Sequence, residues 1–343
     1  MGRHRWLRRV GILACLAAVA AACSGNDEAT PSPAPTAGPS SSVVGATPTP
    51  SSTGRLPLTG RLVEEVPDGP VVAVKVDNTQ PAFPQRGVGQ ADLVVEEPVE
   101  GGVTRLVVML HSKADQADTP VGPVRSIRSS DVGIVSPAEA VVFASGGAPI
   151  PQADLAQAGI EMRFEDSPGF VRDPSRGYLH GRFLEVPTAL QPLPPADPPP
   201  AYFAWDADKR PRLPHARPLG SFDLVFSPYQ TTSMVRTDRG WRRDLAEPDG
   251  FVARTVIALK VDQVLADYVD PGGYDVPIAL TEGRGSGWIA HGGRVSDIRW
   301  VKKSADGRWR FTTPDGDPVR VPPGRVYLAL LPSTTGSLVP SAG

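Results

Sequence analysis

Cysteine is nearly absent: the 343 residues hold two, Cys15 and Cys23, both ahead of residue 24. No internal disulfide can staple the remainder, and no thiolate nucleophile can occupy a folded site beyond residue 23. Lysine is scarce too, six of the 35 basic residues. The residues three positions before those lysines are Val72, Leu110, Asp206, Ile257, Arg299 and Trp300, so the Ser-x-x-Lys pair of a serine penicillin-binding enzyme is missing. His111, His180, His215 and His291 stand singly and none begins His-Glu-x-x-His, which gives no expectation of a metal or cofactor. Ser286 has Arg284 and Trp288 where a nucleophile elbow needs glycine. No Gly-rich phosphate loop precedes a Lys-Ser or Lys-Thr pair, and a net charge of −2 supplies no basic field for nucleic acid.

The N-terminus is the most informative stretch. Arg3, Arg5, Arg8 and Arg9 precede an uncharged run of 13 residues, Val10 to Ala22, and then Cys23. That run is too short for the ~20 residues of a membrane span. With Ala20-Ala21-Ala22 before the cysteine it reads as an export signal over 1–22 and resembles a bacterial lipoprotein signal, with Cys23 as the lipidated residue. Acylation there supplies the two or more chains that stable anchoring needs, so the expected location is the extracytoplasmic face of a bacterial membrane. Cleavage removes four positive charges, leaving 31 basic against 37 acidic residues. Residues 23–55 are rich in Ser, Thr, Pro, Ala and Gly and read as a tether reaching roughly 30 Å as a coil and at most about 95 Å when extended. No later stretch has 18 consecutive apolar residues, so no further membrane span is expected.

The rest reads as α+β, an α/β N-terminal domain over 56–190 and a β-rich C-terminal domain over 215–335. Strands are predicted over 71–78, 91–99, 104–112 and 139–147, each rich in β-branched residues, and helices over 151–159 and, interrupted at Pro187, 178–190. Six prolines in the ten residues 191–200 predict a linker over 191–214, or a long connection lying against the wall of the fold. Short strands are predicted beyond it at 221–228, 232–238, 252–263, 287–293, 297–304, 309–316 and 325–332, with a Pro-Asp-Gly turn at 314–316.

One polar constellation stands out. Asp77-Asn78 close the first strand; Glu96, Glu97 and Glu100 crowd the end of the second; Arg105, Arg125 and Arg128 follow. Strand ends and the loops after them are where α/β proteins gather binding groups. Carboxylates this close repel unless cations intervene, which makes the three arginines their natural partners. Spacing alone favours an ion-pair network that fixes loop geometry over a ligand site, and it leaves a third option: a carboxylate pair for hydrolysis or group transfer, Asp77 or Glu96 as base and Glu100 as acid. Ser145-Gly146-Gly147 reads as a tight turn before it reads as an anion nest.

The stretches PLTG (57–60), VDN (76–78), PQRGVGQADLVVEEPVEGGVTR (84–105) and VGPVRSIRSSD (121–131), in that order, resemble the YerB-like family of bacterial lipoproteins. Weaker matches follow at 252–262, 285–304 and 322–332. The resemblance implies an anchored two-domain envelope protein and no particular reaction. Together the readings favour a binding or scaffold module whose partners are the membrane through its lipid and a cell-wall component or envelope protein. The alternative is a carboxylate-dependent envelope hydrolase or transferase.

Overall fold

A computed structural model of the chain describes residues 54–208 and 211–341. Cys23 and the tether up to residue 53 lie outside the described residues. The chain is β-rich. Besides short pairings at 54–55 with 62–63, 170–172 with 182–184 and 217–218 with 294–295, its strands are β1 (Val72–Asp77), β2 (Leu93–Pro98), β3 (Thr104–Leu110), β4 (Val141–Phe143), β5 (Met162–Arg163), β6 (Phe222–Ser227), β7 (Gln230–Thr237), β8 (Gly240–Arg243), β9 (Thr255–Val261), β10 (Gln263–Val269), β11 (Asp275–Ala279), β12 (Gly283–His291), β13 (Arg294–Lys302), β14 (Arg310–Thr312), β15 (Pro318–Val319), β16 (Val326–Pro332) and β17 (Ser337–Pro340).

One large sheet runs β15-β14-β13-β12-β9-β16-β2-β3-β1-β4-β5. Its centre is β16, all seven residues of which are buried, lying parallel to β9 on one side and to β2 on the other. The segments 56–190 and 215–335 thus build a single sheet across the 191–214 boundary. A second sheet, β8-β7-β6-β17, covers one face. Side chains alternate across the large sheet, as the period of two requires. Val72, Val74, Val94, Leu106 and Val108 pack with Phe222, Leu224, Met234 and Trp241 of the second sheet, while Ala73, Leu93, Val95, Val107 and Met109 pack on the opposite face with Leu155, Tyr202, Phe203 and Trp205.

Helices in the N-terminal half are short: α1 (Asp131–Val135), α2 (Pro149–Gln157), α3 (Gly177–His180) and α4 (Val186–Leu190). The layered α/β expectation for 56–190 reduces to one parallel β4-α2-β5 unit on the sheet edge. The predicted helix over 178–190 is broken by a strand, Arg182–Leu184, which pairs with Phe170–Arg172 and buries Phe183 and Leu184. Pairing and burial override the local helical pattern there, and Pro187 falls in the first turn of α4, where its missing N–H costs nothing.

The proline-rich segment hugs the fold. Tyr202 and Phe203 are fully buried, Phe203 bridges to Trp309, and the indole N–H of Trp205 donates to the carbonyl of Pro57 at 3.1 Å. The turn at 314–316 forms as expected, with Gly316 at φ 102° donating to Thr313 O at 3.0 Å. No helix among the described residues is long and apolar enough to cross a membrane.

Candidate functional site

The period of two decides the fate of the polar constellation. Asp77 opposes Arg105 across β1 and β3, and Glu97 opposes Arg105 across β2 and β3, so these side chains share the face that carries α1. Glu96, one residue earlier, points the other way, toward β7. Residues adjacent in sequence therefore enter two separate networks.

The first network is ionic. Glu100 accepts from Arg105 Nη2 at 2.7 Å and from Arg128 Nε at 2.8 Å, and pairs again with Arg128 Nη2. Burial opposes the charge on Glu100, but Arg105 and then Arg128 outweigh it and hold the carboxyl down at about 2. Arg105, squeezed by burial and by its neighbour Arg128, falls to about 10, and its Nη1 also donates to Ser126 O at 2.9 Å. Beside this lies Lys75, fully buried, paired with Glu97 and bonded to Asp131 Oδ1 at 2.7 Å. One ammonium cannot neutralise two carboxylates, so burial and then the Asp131 charge push Glu97 up to about 7 in spite of Lys75. Asp77 accepts from the backbone of Thr79 at 2.9 Å and lies 3.0 Å from Arg125 Nε and 3.2 Å from His180 Nδ1.

The second network centres on Glu96, which is wholly buried with no cation of the described residues at its oxygens. Its Oε1 accepts from Asn78 Nδ2 (3.0 Å), Thr104 Oγ1 (2.7 Å) and Thr232 Oγ1 (2.8 Å), and its Oε2 from Tyr327 OH (2.6 Å). Burial, reinforced by the Glu96 charge, raises the phenol of Tyr327 well above its ordinary value. Asn78 Oδ1 in turn accepts from Arg243 Nη1 at 2.7 Å, and the same guanidinium binds Gln85 and Asp249. Arg243 links β8 of the second sheet to the end of β1 in the first.

Of the expected site residues, Glu100, Arg105 and Arg128 come together as one triad, Asp77 pairs with Arg125, and Asn78 and Glu96 meet on the opposite face. Sequence reasoning missed Lys75, Asp131, Thr232, Arg243 and Tyr327. Lys75 carried a usable signal, a lone charge inside the apolar strand VVAVKVDN (71–78). The partners from residues 232–327 carried none, since nothing local marks a contact across more than 130 positions. At Ser145-Gly146-Gly147 the expected tight turn is not formed: Ser145 N donates to Arg125 O at 3.1 Å, Gly146 O accepts from Ile127 N at 3.0 Å and Gly147 O from Gln152 Nε2 at 2.7 Å, so the segment is held by bonds to its neighbours rather than by one across itself. Among the described residues no group of three His, Cys, Asp or Glu side chains is arranged to hold a metal.

Beside the second network the surface opens into a groove of about 350 Å³ between the end of β1, the β2–β3 connection, the β6–β7 turn and the end of β8. Asn78, Thr232 and Arg243 form its floor.

Comparison with known proteins places this architecture. The chain is 35% identical over 96 residues to YerB of Bacillus subtilis (strain 168), named as a lipoprotein; the match spans 28% of this chain and 28% of that relative. The crystal structure of YerB from Bacillus subtilis superimposes with a TM-score of 0.64 at 19% identity, covering 83% of this chain and 99% of that one, a likeness of fold. Residues 58–194 match the N-terminal domain, and residues 230–328 the C-terminal domain, of the protein family of unknown function DUF3048. With more than half of its length matched by the two domains in the family's own order, the chain belongs to the DUF3048 family, that of YerB.

Proposed function

We propose that the protein is a lipid-anchored, extracytoplasmic binding or scaffold module that recognises a cell-wall component or an envelope partner. The signal-like N-terminus ending at Cys23, the tether after it and the lipoprotein name of the Bacillus relative support the anchor. One observation carries the non-enzymatic reading: every carboxylate of the constellation is already engaged. Glu100 is clamped by two guanidiniums, and a carboxyl held at about 2 cannot serve as a general acid near neutrality. Glu97 is shifted upward but has no exposed surface from which to reach a substrate. Glu96 is occupied by four donors at 3.0 Å or less and by the Gln230 amide at 3.5 Å. The groove over Asn78 and Arg243 is the concave, solvent-facing part of the same region and is the candidate recognition surface.

Two measurements on the full-length chain test this. Cys23→Ala is expected to move the protein from the membrane fraction to the soluble fraction with an unchanged melt; retention in the membrane overturns the anchor. Thermal melts against muropeptides, lipid-linked wall precursors, oligosaccharides and envelope protein extracts test recognition. A ligand at 100 times its Kd adds about 2.7 kcal/mol, and a melt that no component moves overturns the binding reading.

A further inference from the structure

The groove has a chemistry of its own. Its walls set neutral amides and hydroxyls beside the apolar Phe83, Val103 and Leu245, and an exposed aromatic ring, Tyr229, lines it too. Tyr229 is 81% exposed at the β6–β7 turn, an unusual place for a large ring unless something covers it. The ring is positioned rather than loose. The backbone N–H of Tyr229 donates to Ser227 Oγ at 3.0 Å, that hydroxyl donates to Gly102 O at 2.5 Å, and a Cβ on Gly102 would come within 3.2 Å of Tyr229 Cδ2. Gly102, at φ 70°, lets the β2–β3 connection pass directly under the ring.

Around the groove, the side chains of Thr79, Gln80 and Thr231 take no hydrogen-bond partner among the described residues, although all three line it. Gln230 spends only its amide nitrogen, 3.5 Å from Glu96. The charged groups are spoken for. Arg243 is bound to Asp249, Asn78 and Gln85, and Asp244 lies 3.8 Å from Arg242. Among the described residues lining this groove an anionic ligand finds no free cation. A molecule with many hydroxyls, each able to donate and accept, finds unspent neutral partners in the groove and a flat aromatic face on Tyr229.

We propose, resting on the binding reading above, that this groove binds an uncharged carbohydrate, with the C–H face of one sugar ring stacked on Tyr229 and its hydroxyls bonded to Thr79, Gln80 and Thr231. Calorimetric titration of the full-length chain in a sugar-free detergent, with N-acetylglucosamine and glucose tetrasaccharides as probes, tests it. Saturable binding of one of them is expected, about three- to tenfold weaker in Tyr229→Ala and close to wild type in Tyr229→Phe, which keeps the ring. Gln80→Ala is expected to weaken binding by a similar factor. Tyr229 and Gln80 are both exposed, so neither change threatens the fold. Tetrasaccharide binding that ignores both alanine variants overturns the groove assignment while leaving the binding reading intact. Absence of tetrasaccharide binding overturns the carbohydrate, and a parallel response to glycerol phosphate or to a wall peptide then keeps the binding reading with another ligand. Silence toward the whole set removes the carbohydrate and leaves the binding reading to the melts against envelope protein extracts.

Discussion

Lys75 points from an apolar strand into a space it shares with Glu97 and Asp131, and its surroundings fix how each side chain there responds to mutation and to pH. Lys75→Met leaves two buried carboxylates without their cation and is expected to cost about 3–5 kcal/mol in a urea melt, far more than the methionine packing returns. Arg105→Ala is expected at the lower end of that range, because Arg128 still holds Glu100. The two shifted glutamates act in opposite directions. Glu100 is held at about 2 in the fold against 4.5 in the unfolded chain, so its contribution is complete above pH 4.5 and is lost as pH falls toward 2. Glu97 is raised to about 7, so its contribution is complete below pH 4.5 and is lost as pH rises through 7. Stability measured by denaturant from pH 4.5 to 7 is expected to decline through the Glu97 contribution. Glu97→Gln is expected to flatten that slope, and an unchanged slope places the titration elsewhere.

At the scale of elements, the connection 191–208 takes the second of the two forms its composition allows, a long connection lying against the wall of the fold. Its prolines exclude helix and central strand, yet Tyr202, Phe203 and Trp205 anchor it in the core like a strand without a ladder. Trp205 lies over Gly60, whose φ of 64° and missing side chain make room for the indole; a Cβ there would come within 2.3 Å of Trp205 Cδ2. Trp205→Ala is expected to cost about 3–5 kcal/mol and to open the connection to limited proteolysis near residue 200, whereas an equally resistant chain would mean that the prolines alone hold it. The central strands were legible in the sequence because burial on both faces writes runs such as VVAVKV and LVVML directly into it. The helix expected over 178–190 was not, since the pairing of Phe183 and Leu184 with 170–172 is a tertiary event. The site was half legible: the predicted strand 91–99 already held Glu96 and Glu97, whose opposite faces follow from its period of two, but the partners waiting on each face did not show. The long reach from Glu96 to Thr232 and Tyr327 had no local trace.

For the molecule as a whole, the decisive fact is that β16, near the end of the chain, fills the slot between β9 and β2. Two family domains can be drawn on the sequence, but neither completes its sheet alone: β2 without β16 leaves a buried edge unpaired, and β9 loses its parallel neighbour. Folding of the halves is therefore coupled. The tryptophans make this measurable, because those of the described residues, Trp205, Trp241, Trp288, Trp300 and Trp309, all lie beyond residue 200. Their fluorescence reports on the C-terminal half and its connection, while far-ultraviolet circular dichroism reports on the whole. Leu106, fully buried in β3, is far from all of them in sequence. Leu106→Ala is expected to destabilise by about 2–5 kcal/mol and to lower both urea midpoints by the same amount, as one cooperative unit requires. If the dichroism transition splits while the fluorescence midpoint stays at its wild-type value, the halves fold independently and β16 is a dock rather than a keystone. In that case Arg243, which joins the end of β1 to β8, would with Thr232 on Glu96 and Ser227 on Gly102 hold the groove together, and ligand binding would depend on how the two halves meet.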